Sequence, residues 1–91
     1  MTTAKEIIKK YKIKTELEKS FSDLLNSNSC GDLNINNKEI SINTDNINYN
    51  KTILNFHLFK TPILKKNNEI WYYALEYDSK FQLIDNYFVI N

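Results

Sequence analysis

Glu69-Ile70-Trp71-Tyr72-Tyr73-Ala74-Leu75-Glu76-Tyr77, then Asp78-Ser79-Lys80-Phe81, then Gln82-Leu83-Ile84-Asp85-Asn86-Tyr87-Phe88-Val89-Ile90, is the stretch that decides the fold. Aromatic and branched residues dominate both arms, and such side chains suit a pleated, half-buried surface. The polar interruption between them reads as a turn, so the pair predicts an antiparallel hairpin with strands at 69–77 and 82–90. Pairing Tyr77 with Gln82 sets Leu75 opposite Ile84, Tyr73 opposite Asn86 and Trp71 opposite Phe88. Side chains alternate along a strand. One face therefore carries Trp71, Tyr73, Leu75, Ile84, Phe88 and Ile90 and belongs in a core. The other carries Ile70, Tyr72, Ala74, Glu76, Leu83, Asp85, Tyr87 and Val89.

Upstream, Lys65-Lys66-Asn67-Asn68 reads as a turn. Leu54, Phe56 and Leu58 alternate with Ile53, Asn55, His57 and Phe59, which predicts a strand over 52–59. Thr61-Pro62 interrupts it, since proline suits a sheet edge or a strand start. Residues 32–50 are polar and rich in asparagine. Within them Leu33/Ile35 and Ile40/Ile42 suggest a hairpin around Asn36-Asn37-Lys38, and Asp45 to Asn50 reads as a loop.

The N-terminal third reads as helical. Thr3-Ala4-Lys5-Glu6 and Thr15-Glu16-Leu17-Glu18 both match the capping box. Ile7, Ile8 and Tyr11 make one apolar stripe; Leu17, Phe21, Leu24 and Leu25 make another. Lys14 and Glu18 prevent the two stripes from joining on one straight helix. Two helices at about 3–12 and 15–27, with a break near Ile13, are predicted, one bent helix being the alternative. Gly31, the only glycine, suits a helix end or tight turn. Helices followed by strands imply an α+β domain, with one or two N-terminal helices on one face of a meander-like antiparallel sheet of about three to five strands. Residues 1–29 would form the helical part and 32–91 the sheet. Trp71, Leu75, Phe56, Phe21 and Leu24 are the expected core.

Thr3 to Leu25 loosely resembles a helix-turn-helix DNA reader in the string Glu6-Ile7-Ile8-Lys9-Lys10-Tyr11-Lys12-Ile13. It departs from that pattern at Ile8, where a small residue is expected, at Lys12, where the turn glycine belongs, and at Glu18, where an apolar residue belongs. These departures obstruct close crossing of the two helices, and membership of that family is not assigned.

A chain of 91 residues corresponds to a single domain, 1–91. Charged residues at 25%, aromatics at 13% and hydrophobics at 42% describe a globular protein, not a disordered one. The one cysteine, Cys30, permits no internal disulfide. The lysine-rich start contains no apolar signal segment, and no apolar run would span a membrane, so a cytoplasmic protein is expected. Net charge is +1, and all twelve basic residues are lysine. Missing arginine argues against direct nucleic-acid recognition. The weight of Asn, Ile, Lys, Tyr and Phe fits an AT-rich genome, such as that of a low-GC bacterium or its phage.

No catalytic, metal or cofactor site is expected. His57 and Cys30 are each single and lack a third orienting group. One glycine cannot build a phosphate loop, and the ligands for a zinc site are missing. Lys5, Lys9 and Lys12 fall on one helical face, where they could track phosphates or simply face solvent. The second hairpin face is the expected partner-binding surface, with Tyr72, Glu76, Asp85 and Tyr87 on it and Glu69 and Asp78 at its ends. Tyrosines supply rigid contact area, and carboxylates among them would steer toward a basic partner. The expectation is a non-catalytic, inhibitor-like protein, of immunity or anti-defence type, that docks on a basic protein such as a nuclease. The alternatives are a nucleic-acid-binding regulator using the lysine face, and a homodimer joined through the open sheet face.

Overall fold

Thr3 starts the first helix as the sequence predicts: its Oγ1 accepts from the Glu6 amide at 3.2 Å. The computed structural model describes residues 3–33, 35, 39–66 and 68–90. Helix α1 spans Ala4–Lys10 and α2 spans Ile13–Ser27. The break falls at Tyr11-Lys12, just before Ile13. Lys12 takes the left-handed conformation, φ 52°, which costs a non-glycine residue about 1–2 kcal/mol. Helix α2 begins two residues earlier than predicted because Ile13 is the first member of its buried stripe, with Leu17 and Phe21 at successive fourth positions. Thr15 thus lies inside α2 and caps nothing.

Five strands follow: β1 Ser41–Ile42, β2 Asn48–Lys51, β3 His57–Lys65, β4 Asn68–Tyr77 and β5 Leu83–Val89. They form one antiparallel, curled sheet in the order β1-β3-β4-β5, with β2 also paired to β3. The fold is the predicted α+β arrangement, but the strand before the hairpin is displaced. Residues 52–56 are a turn, with Thr52 and Phe56 bonded to each other and Asn55 left-handed at φ 63°. The strand is β3, and it runs straight through Pro62. That position tolerates proline because its polar edge points away from β4. The Pro62 carbonyl accepts from the Asn43 amide at 3.0 Å, in the gap where β3 changes neighbour from β1 to β2. The missing N–H faces that gap, and Thr61 Oγ1 closes it with a hydrogen bond to the Asn43 carbonyl at 2.6 Å. Part of the expected 45–50 loop is β2. The expected hairpin at 33–42 is replaced among the described residues: Leu33 and Ile35 close turns onto Ser29 and Cys30, and β1 pairs with Leu64 and Ile63. Its tip, 36–38, lies outside the described residues.

The last hairpin is shifted by two residues from the predicted register. Leu75 pairs with Asn86, Tyr73 with Phe88 and Glu76 with Asp85, because the turn is wider and Ile84 is an extra residue in a bulge. A shift of two keeps each side chain on its face, so the two predicted faces survive. Leu83 is the exception and pairs with Tyr77.

The helix-facing side of the sheet buries Phe59, Ile63, Tyr73, Leu75 and Tyr77 against Ile13, Leu17 and Phe21. Tyr73 ties the layers together: its hydroxyl is 2.5 Å from Ser20 Oγ, and its ring meets Phe21 edge-on at 5.3 Å. Trp71 is on the predicted side but only half-buried, near the end of the sheet, and Leu24 is likewise half-buried. Phe56 sits in the turn before β3, and Phe59 takes the place expected of it. Replacing Phe59 by Ala is expected to cost about 3–5 kcal/mol, whereas Trp71→Ala should cost about half that; urea titrations of both variants measure the difference.

The Tyr77 hydroxyl is buried and has no hydrogen-bond partner among the described residues. Burial, reinforced by the charge of Glu16 and by Tyr73, pushes its pKa up to about 12. Removing a hydroxyl that is already unsatisfied sacrifices no bond. Tyr77→Phe should therefore match or exceed the wild type in urea, while Tyr73→Phe should lose about 1 kcal/mol.

Candidate partner-binding surface

Two helices can cover one face of a five-stranded sheet, and the opposite face is left open. Register places its side chains in rows across the strands. Asn50, Leu58, Glu76 and Asp85 form one row; Asn48, Lys60, Ala74 and Tyr87 the next; Pro62, Tyr72 and Val89 a third. The small Ala74 is the floor of a hollow walled by Leu58, Lys60, Tyr72, Glu76 and Tyr87. The Lys60 ammonium lies 4.7 Å from the Tyr72 ring centre, a cation–π contact. The Tyr87 hydroxyl donates to Glu76 Oε1 at 2.8 Å. That bond, then desolvation and the charges of Glu76 and Asp85, pushes the Tyr87 phenol up to about 12.

Four of the six residues singled out from sequence, Tyr72, Glu76, Asp85 and Tyr87, thus share one face. Glu69 stands at its far end beside Lys60 and Tyr72, paired with Leu64 beyond a second bulge. Asp78 does not join them. Its carboxylate accepts from the Lys80 and Gln82 amides at 2.8 and 3.0 Å and shapes the β4–β5 turn. Strand pairing also brings in two cations that the hairpin alone does not contain. Lys60 stands on the face, and Lys51 lines a neighbouring hollow with Glu76, so the negative charge of Glu69, Glu76 and Asp85 is largely offset.

That neighbouring hollow holds what the sequence reading missed. Lys51, Thr52, Ile53, Leu54, Phe56 and Glu76 line it, and Ile53 is 99% exposed and Leu54 69% exposed at the tip of the β2–β3 turn. The signal was present in Thr52 and Asn55, both turn formers, but the alternation of Leu54 with Phe56 and Leu58 masked it.

His57 and Cys30 are kept apart in role. Cys30 is half-buried in the turn after α2. His57 is buried within a series of rings: Tyr11 stacks on Phe81 at 3.7 Å, Phe81 on His57 at 3.9 Å, and His57 on Tyr49 at 5.7 Å. Its Nδ1 is 2.5 Å from the Tyr49 hydroxyl. Among the described residues no group of three or more His, Cys, Asp or Glu could hold a metal ion. The lysine stripe is broken, since Lys5 and Lys9 lie on α1 while Lys12 occupies the left-handed bend; all three are exposed.

Burial holds the His57 pKa below its ordinary value, Lys51 adds to that effect, and Asp78 opposes it. The neutral imidazole is the folded form, so protons bind preferentially to the unfolded chain. The His57 contribution is complete above about pH 6.5 and is lost as pH falls through the lowered folded value. Urea midpoints of the wild type should drop between about pH 7 and 5, and His57→Gln should flatten that slope.

Compared with protein-family models, with curated proteins and with solved structures, the chain matches none.

Proposed function

We propose that this protein is a small non-catalytic binding module that docks on another protein through the open sheet face, with the Ile53–Leu54 turn as its leading anchor. The observation that carries this reading is the exposure of two adjacent large aliphatic side chains beside a tyrosine-walled hollow. Isolated exposed apolar residues are ordinary, but a contiguous set flanking a concave surface marks an interaction site. The tyrosines supply rigid contact area. Glu69, Glu76 and Asp85 select a partner with basic groups around an apolar cleft, and Lys60 and Lys51 narrow the match to one in which some acids are present too.

Nuclease surfaces have such a basic character because they hold phosphates. A module seated there would exclude the substrate and act as an inhibitor, of the immunity or anti-defence type. A role inside the cell fits the single unpaired cysteine, and no helix among the described residues is long and apolar enough to cross a membrane. A binding role also fits the use of His57 in ring packing. The broken lysine stripe and the missing arginine disfavour the nucleic-acid alternative.

A photo-crosslinking residue at position 54 or 72, introduced in cells of the native source, should trap the same protein, and one at Lys19 should not. With that partner purified, Leu54→Glu should weaken binding by about 2 kcal/mol or more, as expected of an apolar anchor. Tyr72→Ala should act mainly on dissociation, and Glu76→Lys on association at low salt. Trapping from Lys5 or Lys9 instead, or retention of DNA or RNA that falls steeply with salt, would overturn the reading.

A further inference from the structure

Strand β5 ends the sheet, and no described residue pairs with its outer edge. Exposed edge strands are templates for further pairing, and proteins usually blunt them with lysine, proline or brevity. Leu83–Val89 has neither lysine nor proline and runs for seven residues. Its one bulge lies at Ile84, at its start, leaving 85–89 regular.

The outward donors can be identified. The Asn86 amide is bonded not to β4 but to the Asp85 carboxylate, at 2.8 Å. Backbone groups alternate in direction along an antiparallel strand, so Asn86 and Phe88 present theirs outward, while Asp85, Tyr87 and Val89 face β4.

We propose that the occupant of this edge is a second copy of the same chain, joined antiparallel through β5 about a two-fold axis at Asn86. The strand is self-complementary in that register and poorly so in the alternative centred on Asp85. Centred on Asn86, the two outward Asn86 residues exchange hydrogen bonds, and the only charge on the strand, Asp85, falls opposite the partner copy's Tyr87. Beyond the regular stretch, the bulged Ile84, 45% exposed, comes beside the other copy's Phe88. Centred on Asp85, two carboxylates would face each other directly, which is repulsive. The pairing joins two sheets into one and places two open faces side by side. It does not depend on the docking reading, whose anchors Ile53, Leu54 and Tyr72 lie off this edge.

The test is mass in solution together with a register-specific crosslink. Sedimentation of the full chain from micromolar to millimolar concentration should show a transition to twice the monomer mass, lost in Ile84→Lys. Asn86→Pro, which deletes the outward donor, should also be monomeric, whereas Asn86→Ala, which loses the same side-chain bond to the Tyr73 hydroxyl at 3.4 Å but keeps the amide, should still dimerise; native circular dichroism confirms folding of all three. In a Cys30→Ser background, Asn86→Cys should oxidise to a covalent dimer, because facing positions lie within disulfide reach, and Lys19→Cys should not. A monomer throughout the range would overturn the proposal. So would a dimer that survives both edge variants, an open-ended polymer, or a monomer that captures a strand of a different protein on β5.

Discussion

The hydroxyl of Tyr73 bonded to Ser20, with its ring set edge-on against Phe21, is the interaction on which the arrangement of layers depends. A phenol buried at the centre of β4 needs hydrogen-bond partners, and besides the longer bond from the Asn86 side-chain amide at 3.4 Å its close partner comes from the helix layer. Ser20 lies one position before Phe21, so the same turn of α2 supplies both the hydrogen-bond partner and the packing surface. This fixes which side of the sheet the helices cover. By exclusion it also fixes which side is left with Tyr72, Lys60, Glu76 and Tyr87.

The open side owes its shape to a residue that does little on its own. Ala74 sits between Lys60 and Tyr87 in the cross-strand row, and a larger side chain there would fill the hollow. With alanine as the floor, Lys60 can lie over Tyr72 and Tyr87 can reach Glu76. The contacts that hold these side chains also limit their rotamers, which reduces the entropy lost when a partner closes over them.

Much of this was legible in the residues, and the failures have physical causes. The hairpin from Glu69 to Ile90 announced itself through aromatic and branched residues around a polar turn, and its two faces survived a register error because the error was even. The helix break near Ile13 was also visible. Pro62 misled, because its tolerance in a central strand depends on Asn43 and on a change of neighbour, neither of which is encoded locally. The same holds for the site. Tyr72, Glu76, Asp85 and Tyr87 share a face through alternation alone, whereas Lys60, Lys51 and the Ile53–Leu54 turn reach it only through the pairing of β2 and β3 with β4. Asp78 is engaged in the turn instead of lying on that face, because an acid at a hairpin end can shape the turn as readily as it can face outward.

The two bends of the chain around β4 have a consequence for the order in which the protein assembles. Lys65 pairs with Asn68, and the β4–β5 turn spans only residues 78–82, so the three-stranded meander closes through short loops. The Ser20–Tyr73 bond, by contrast, joins residues 53 positions apart. Loop-closure entropy grows with the length of chain enclosed, and contacts between near neighbours form sooner than distant ones. The C-terminal meander is thus the natural nucleus, and the helices dock late, onto a face already built. Until they do, both faces of the meander are bare and its β5 edge is open, so the newly made chain has a stage at which the apolar side of the sheet, rather than the finished surface, is what its neighbours meet.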